Sequence, residues 1–153
     1  GKVKPGSASD QTICLTDLMA TCAEIIGAKL PNDAAEDSYN FLPVLFGKDK
    51  GKRIREYTLH QTISLAMAIR RGSWKYLDHK GSGGSNYNRD GEWGLKQYAL
   101  PDKAPAAPGQ LYNLKTDPGE TNNLYFKHPQ IVKELKAQLE EYKKSGRSAP
   151  FRP

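Results

Sequence analysis

Few side chains in this sequence could do chemistry, and they are scattered. Cys14 sits in CLTDL and Cys22 in CAEII. A cysteine nucleophile needs a neighbouring base or cation to hold it as a thiolate, and neither has a His or Asp at catalytic spacing. Cys22 falls on the apolar side of a predicted helix and reads as a buried structural thiol. The histidines are His60, His79 and His128, and no Cys/His spacing matches a zinc site. His79 ends a predicted strand and His128 precedes a predicted helix, both structural positions. His60, in LHQTIS, lies towards the end of a strand, where an imidazole can be presented to a ligand. No paired Asp cluster offers a hard cation enough oxygens, and Asp117, in DPG, reads as a turn residue.

The charge balance narrows the partners. The 153 residues include 23 Lys and Arg against 17 Asp and Glu, a net charge of +6. That favours anionic partners such as sulfated glycans, phosphates or nucleic acid. The basic residues are spread over KDKGKRIR, RRGSWK and the last helix, and no RNA-binding aromatic signature accompanies them. A soluble surface with a modest lysine excess accounts for them, and nucleic acid is set aside. Apolar residues make up 37% of the chain, which points to long solvated loops around a small core. No apolar run approaches the ~20 residues of a membrane span. The first residues, GKVKPGSASD, have no apolar stretch of the kind a signal peptide needs.

The elements that must position these groups can be read from spacing. TDLMATCAEIIGAKLP predicts a helix with Thr16 as N-cap and Gly27 just past its end. Leu18, Met19, Cys22, Ile25 and Ile26 share one face, which should be buried against something large. Leu42 to Phe46, around Pro43, predicts a short helical turn. Strands are expected at 56–62, 65–72 and 73–79, with a tight hairpin at Arg71-Gly72-Ser73. Residues 80–109 read as a long loop rich in Gly, Ser, Asn and Pro, a type that is often functional. QLYNL predicts a fourth, edge strand. In KTDPGE, Asp117 can bond its own backbone and Gly119 allows positive φ. The Asn122-Asn123 pair can satisfy loose backbone groups. HPQIVKELKAQLEEYKK is the last helix, with Pro129 at its start and Ile131, Val132, Leu135, Leu139 and Tyr142 on its buried stripe.

LYNLKTDPGETNNL, followed by HPQIVKELKAQLEEY, resembles the C-terminal end of type I sulfatases, the arylsulfatase family of the alkaline phosphatase superfamily. MAIRRGSWKYL resembles the preceding hairpin of that family, TDLMATCAEIIGAKLP the segment that closes its catalytic domain, and GKVKPGS the loop before it. The resemblance runs over nearly the whole chain and in the family's order. It implies an α+β fold, a four-stranded antiparallel sheet with a long C-terminal helix packed on it. Residues 1–47 would be the last elements of the catalytic α/β domain. Residues 48–153 would be the C-terminal subdomain, with 145–153 as a frayed tail.

The resemblance also defines what is missing. In this family the nucleophile is a formylglycine made from a Cys or Ser in a Cys-x-Pro/Ala-x-Arg setting, and a divalent cation, usually calcium, binds the sulfate oxygens. Neither Cys14 nor Cys22 has that setting. The chain is therefore expected to hold no nucleophile and no metal, with calcium belonging to the full-length parent. What remains is substrate recognition, since the family's C-terminal subdomain borders the cleft. His60 is the first candidate, as an imidazole offered to an anionic sugar. The loop GSGGSNYNRDGEWG is the second. There Asn86, Asn88 and Arg89 could hydrogen-bond hydroxyls or sulfate, and Trp93 could stack. The expected partners are a sulfated carbohydrate, the N-terminal catalytic domain, and other copies of the chain through the helix at 17–27. Exported members of the family imply a periplasmic or secreted location. The alternative reading is a non-enzymatic binding module for anionic glycans.

Overall fold

The computed structural model describes residues 1–62, 65–80 and 100–152. It contains α1 (Asp17–Ile26), α2 (Leu42–Leu45), β1 (Tyr57–Gln61), β2 (Met67–Arg71), β3 (Trp74–Leu77), β4 (Gln110–Asn113) and α3 (Pro129–Ser145). The strands form one four-stranded sheet in the order β1-β2-β3-β4. The chain divides into two compact units, Gly1–Thr58 with Tyr142–Pro153, and Leu59–Glu141.

In the second unit the hairpin sets everything else. Gly72 takes φ 57, a left-handed value that glycine adopts without a Cβ penalty. The turn pairs Arg71 with Trp74, Arg70 with Lys75, Ile69 with Tyr76 and Ala68 with Leu77. β4 continues the ladder, pairing Tyr76 with Leu111 and Lys75 with Tyr112. Side chains alternate across a strand, so the two faces are fixed by this register. Ile69, Tyr76 and Leu111 are buried on one face. That face meets α3, through the Trp74–His128 ring contact at 4.9 Å and the Arg71–Glu134 ion pair. α3 buries Val132, Leu135 and Leu139, each worth about 1.5–3 kcal/mol relative to exposure. The other face packs Ala68, Leu77 and Tyr112 with Leu114. Gly109 enters β4 where a Cβ would stand 2.6 Å from the Leu77 carbonyl oxygen, so only glycine fits.

The first unit is organised by a buried ion pair. Asp17 is fully buried, and its carboxylate accepts from Cys14 N, Tyr39 N and Arg55 Nη2. Arg55 also lies over the Tyr39 ring, 4.5 Å from its centroid. Thr21 Oγ1 donates to Asp17 O and accepts from Phe41 N. The polar side of α1 is therefore the covered one, and Asp17, Ala20, Thr21 and Ala23 are its buried residues. Leu18, Met19, Ile25 and Ile26 are exposed, Ile26 to 77%, and Cys22 is exposed with them. The expectation of a buried Cys22 thiol fails for that reason. Thr16 stands at the N-cap without a capping side-chain bond. The last residues are tied to the 31–37 loop. Arg152 donates to the carbonyls of Pro31, Ala34 and Ala35, and Ser148 N to Asp37 Oδ1.

Candidate functional site

The register of β2 and β3 places Arg70 and Lys75 side by side on the sheet face away from α3. β1 lies beside β2 and carries His60, which keeps part of its surface exposed and has part withdrawn from water. A fourth side chain arrives from the turn after β4. Glu120 Oε1 accepts from Lys75 Nζ at 2.6 Å, with the two side chains only 19% (Lys75) and 16% (Glu120) exposed.

The turn that delivers Glu120 is built by its own side chains. Asp117 accepts from the amides of Thr121 and Asn122 and from the Thr121 hydroxyl. Desolvation pushes its pKa up, but these bonds and Lys103 outweigh it and hold the carboxyl below its ordinary value of 3.8. Asn123 Oδ1 accepts from Leu111 N and Tyr125 N, tying the end of the turn to β4. The left-handed residue is Glu120, φ 53, and not Gly119 as the sequence led one to expect. The cap at Asp117 forces the chain over there, one residue later than the Gly.

The charges act on one another. Partial burial, then Lys75 and Arg70, lower the His60 pKa from its ordinary 6.5, while Glu120 opposes them. His60 is thus a neutral imidazole at pH 7, with one nitrogen donating and the other accepting. Arg70 is steadied by its Nε donating to Gly72 O at 2.7 Å. Lys75, Arg70 and His60 are the donors of this cluster, and Glu120 is the acceptor that holds Lys75.

Of the residues expected from the sequence, His60 is in this cluster. Asn86, Asn88, Arg89 and Trp93 lie outside the described residues. His128 stacks against Trp74, and His79 Nδ1 lies 3.0 Å from the Lys80 carbonyl oxygen, so both sit in structural roles. The pairing of Lys75 with Glu120, 45 residues away, leaves no local signal in the sequence. The juxtaposition of Arg70 with Lys75, however, follows from the predicted Gly72 hairpin by counting outwards. Cys14 lies 3.2 Å from Arg55 Nη1, but burial pushes its thiol up more strongly than Arg55 lowers it, so it is no activated nucleophile. Among the described residues no three His, Cys, Asp or Glu side chains converge to hold a metal ion. The first unit has a cleft of about 560 Å³, lined by Ala20, Ala23, Tyr39, Ala149 and Phe151 among others, and it contains none of the expected site residues.

No protein-family model matches the chain. It is 36% identical over 142 residues to an N-acetylgalactosamine-6-O-sulfatase of Bacteroides thetaiotaomicron, covering 93% of this chain and 25% of that protein. It is 35% identical over 138 residues to a ulvan-active sulfatase of Formosa agariphila, covering 80% of this chain and 26% of that protein. A solved Bacteroides thetaiotaomicron structure, described with the metabolism of multiple glycosaminoglycans, superposes with a TM-score of 0.60 at 33% identity. That match covers 84% of this chain and 24% of that one. The chain spans about a quarter of the length of the relatives it matches.

Proposed function

We propose, from the chain's homology to the C-terminal region of sulfatases, that it forms the C-terminal part of an enzyme that hydrolyses sulfate esters on a sulfated carbohydrate. The observation that carries the reading is the match over 93% of the chain to one quarter of a sulfatase that acts on N-acetylgalactosamine 6-sulfate by its name. The exposed apolar side of α1 supports it. Leu18, Met19, Ile25 and Ile26 are what a helix presents when a larger body covers it, and the catalytic portion is that body here. The formylglycine nucleophile belongs to that portion, because neither Cys14 nor Cys22 stands in a Cys-x-Pro/Ala-x-Arg setting. So does the divalent cation, calcium by the resemblance. Among the described residues no set of His, Cys, Asp or Glu side chains fits it. The chain's own contribution is substrate recognition through the His60 face. A periplasmic or secreted location is the one that the family resemblance implies. Among the described residues no helix is long and apolar enough to cross a membrane.

The test uses both forms of the protein. The 153-residue chain, purified, is expected to release no sulfate from an aryl sulfate. The native gene product, examined by intact mass and peptide mapping, is expected to carry a formylglycine peptide and to hydrolyse a sulfated sugar. Turnover by the 153-residue chain, or a native product without that peptide, would overturn the reading. In the latter case the non-enzymatic anionic-glycan module takes its place.

A further inference from the structure

The backbone groups of the last residues are answered one by one by the 31–39 loop. Asn32 takes both backbone groups of Arg152. Its Oδ1 accepts from Arg152 N at 2.7 Å, and its Nδ2 donates to Arg152 O at 3.1 Å. The Arg152 guanidinium then gathers the carbonyls of Pro31, Ala34 and Ala35. Ala35 stands at φ 53, a left-handed backbone that disfavours a side chain, and the guanidinium holds its carbonyl in that turn. Ala149 is buried, and its N donates to Glu36 O. Arg147 braces the segment from within. Its Nε and Nη2 donate to the carbonyls of Ala149 and Pro150, and its Nη1 reaches Asn32 O. Its guanidinium also lies 4.0 Å from the centre of the Phe151 ring. A segment braced in this way loses less freedom on docking than an open one.

Ser148 connects this seat to the buried pair. Its N donates to Asp37 Oδ1, and its O accepts from Tyr39 Oη. Both partners meet the pair with their other groups. Asp37 O accepts from Arg55 Nη2, Tyr39 N donates to Asp17 Oδ1, and the Arg55 guanidinium lies over the Tyr39 ring. Burial raises the Tyr39 hydroxyl above its ordinary 10, against Arg55 and the Ser148 bond, so it stays a donor. All of these residues belong to the first unit.

We propose that Arg147–Arg152 is a strap with a built seat, formed by Asn32 and the carbonyls of the 31–36 turn, and that the seated strap holds the Asp17–Arg55 pair closed through Asp37 and Tyr39. Release of the strap reaches the pair, because Asp37 and Tyr39 lose their outer anchors together. It also opens the cleft beside α1, to whose wall the strap gives Ala149, Pro150 and Phe151. A partner or a protease that draws the strap away therefore loosens the first unit from its far end. Nothing in this coupling depends on sulfate chemistry.

Amide hydrogen exchange in the intact 153-residue chain, followed by NMR, tests the strap. A synthetic peptide of residues 146–153 is the reference for an undocked segment. In the wild-type chain the Ser148, Ala149 and Arg152 amides are expected to exchange more slowly than in the peptide, by about tenfold or more. Asn32→Ala removes both bonds to Arg152 at an exposed position. It is expected to speed exchange at all three strap amides by roughly tenfold. The Tyr39 amide, which donates to Asp17, is expected to quicken by about threefold or more in the same variant. Arg152→Ala, which frees three carbonyls, is expected to do the same. The Leu135 and Leu139 amides, in the other unit, are expected to stay within about twofold. Strap amides that exchange at the peptide's rate in the wild type would overturn the strap, and that measurement needs no variant. Faster exchange confined to the strap in both variants, with Tyr39 unchanged, would overturn its hold on the pair. So would an equal rise at Leu135 and Leu139, which would mark general unfolding.

Discussion

Replacing Asp17 by Asn is expected to loosen the first unit far more than its near-identical shape would indicate. The carboxylate takes three donors, Cys14 N at 2.7 Å, Tyr39 N at 2.9 Å and Arg55 Nη2. An Asn amide offers one oxygen to this set and turns an N–H₂ towards at least one donor. The Arg55 side chain is 3% exposed, so it cannot swing out to water. Its remaining oxygen contact among the described residues is the Asp37 carbonyl at 3.2 Å, and its Nε has no partner among them. Breaking a buried pair from one side leaves an uncompensated charge and costs about 3–5 kcal/mol. At about 1.4 kcal/mol per factor of ten, the lower figure is roughly two powers of ten in an opening equilibrium. Amide hydrogen exchange at Cys14 and Tyr39 reads that equilibrium directly. Both amides are expected to exchange ~100-fold faster in Asp17→Asn. The double variant Asp17→Asn with Arg55→Met removes the stranded charge and is expected to exchange more slowly than the single one. A single variant within about threefold of wild type, or a double variant whose cost equals the sum of the two singles, would refute the argument that charge pairing holds this unit.

The other predictions concern the second unit and the surface. The His60 pKa is lowered in the fold, so the folded state binds fewer protons there than the unfolded chain. Stability contributed by His60 is full above pH 6.5 and falls as pH drops from there through the lower folded value. Lys75→Met, which removes a repelling charge, is expected to move the NMR-measured His60 pKa upwards; a downward move would contradict the placement of Lys75 beside it. Asp117→Ala is expected to cost about 1 kcal/mol, the usual loss for a side-chain cap on backbone amides. Faster exchange should then appear first at Thr121 and Asn122. Because the folded Asp117 pKa lies below 3.8, its contribution is present above 3.8 and disappears as pH falls through the lower value, which acid titration of the same two amides checks. The exposed α1 face is expected to drive self-association of the 153-residue chain. Light scattering should show a mass above monomer that Leu18→Asp with Ile25→Asp returns to monomer, and a clean wild-type monomer at high concentration would count against it.

Which parts of this molecule the sequence makes legible depends on whether a signal is local. The alternation in YTLHQ and the Gly72 turn are local, and β1 to β4 lie where those signals put them. α3 follows from its stripe of Val132, Leu135 and Leu139 in the same way. α1 is the instructive case. Its apolar face is real, but periodicity says only that the face exists and not what covers it. Here the covered side is the one bearing Asp17 and Thr21, because the 37–41 backbone needs acceptors and they supply them. Nothing near Asp17 in the sequence announces Arg55, 38 residues away. The His60 cluster divides along the same line. Arg70 beside Lys75 is legible from the hairpin count, whereas Glu120 reaches Lys75 only because Asp117 caps the turn and pushes the left-handed residue one place past Gly119. A Gly would have taken that conformation without strain. With the Asp117 cap in place it falls on Glu120 instead, and that residue carries the carboxylate that meets Lys75.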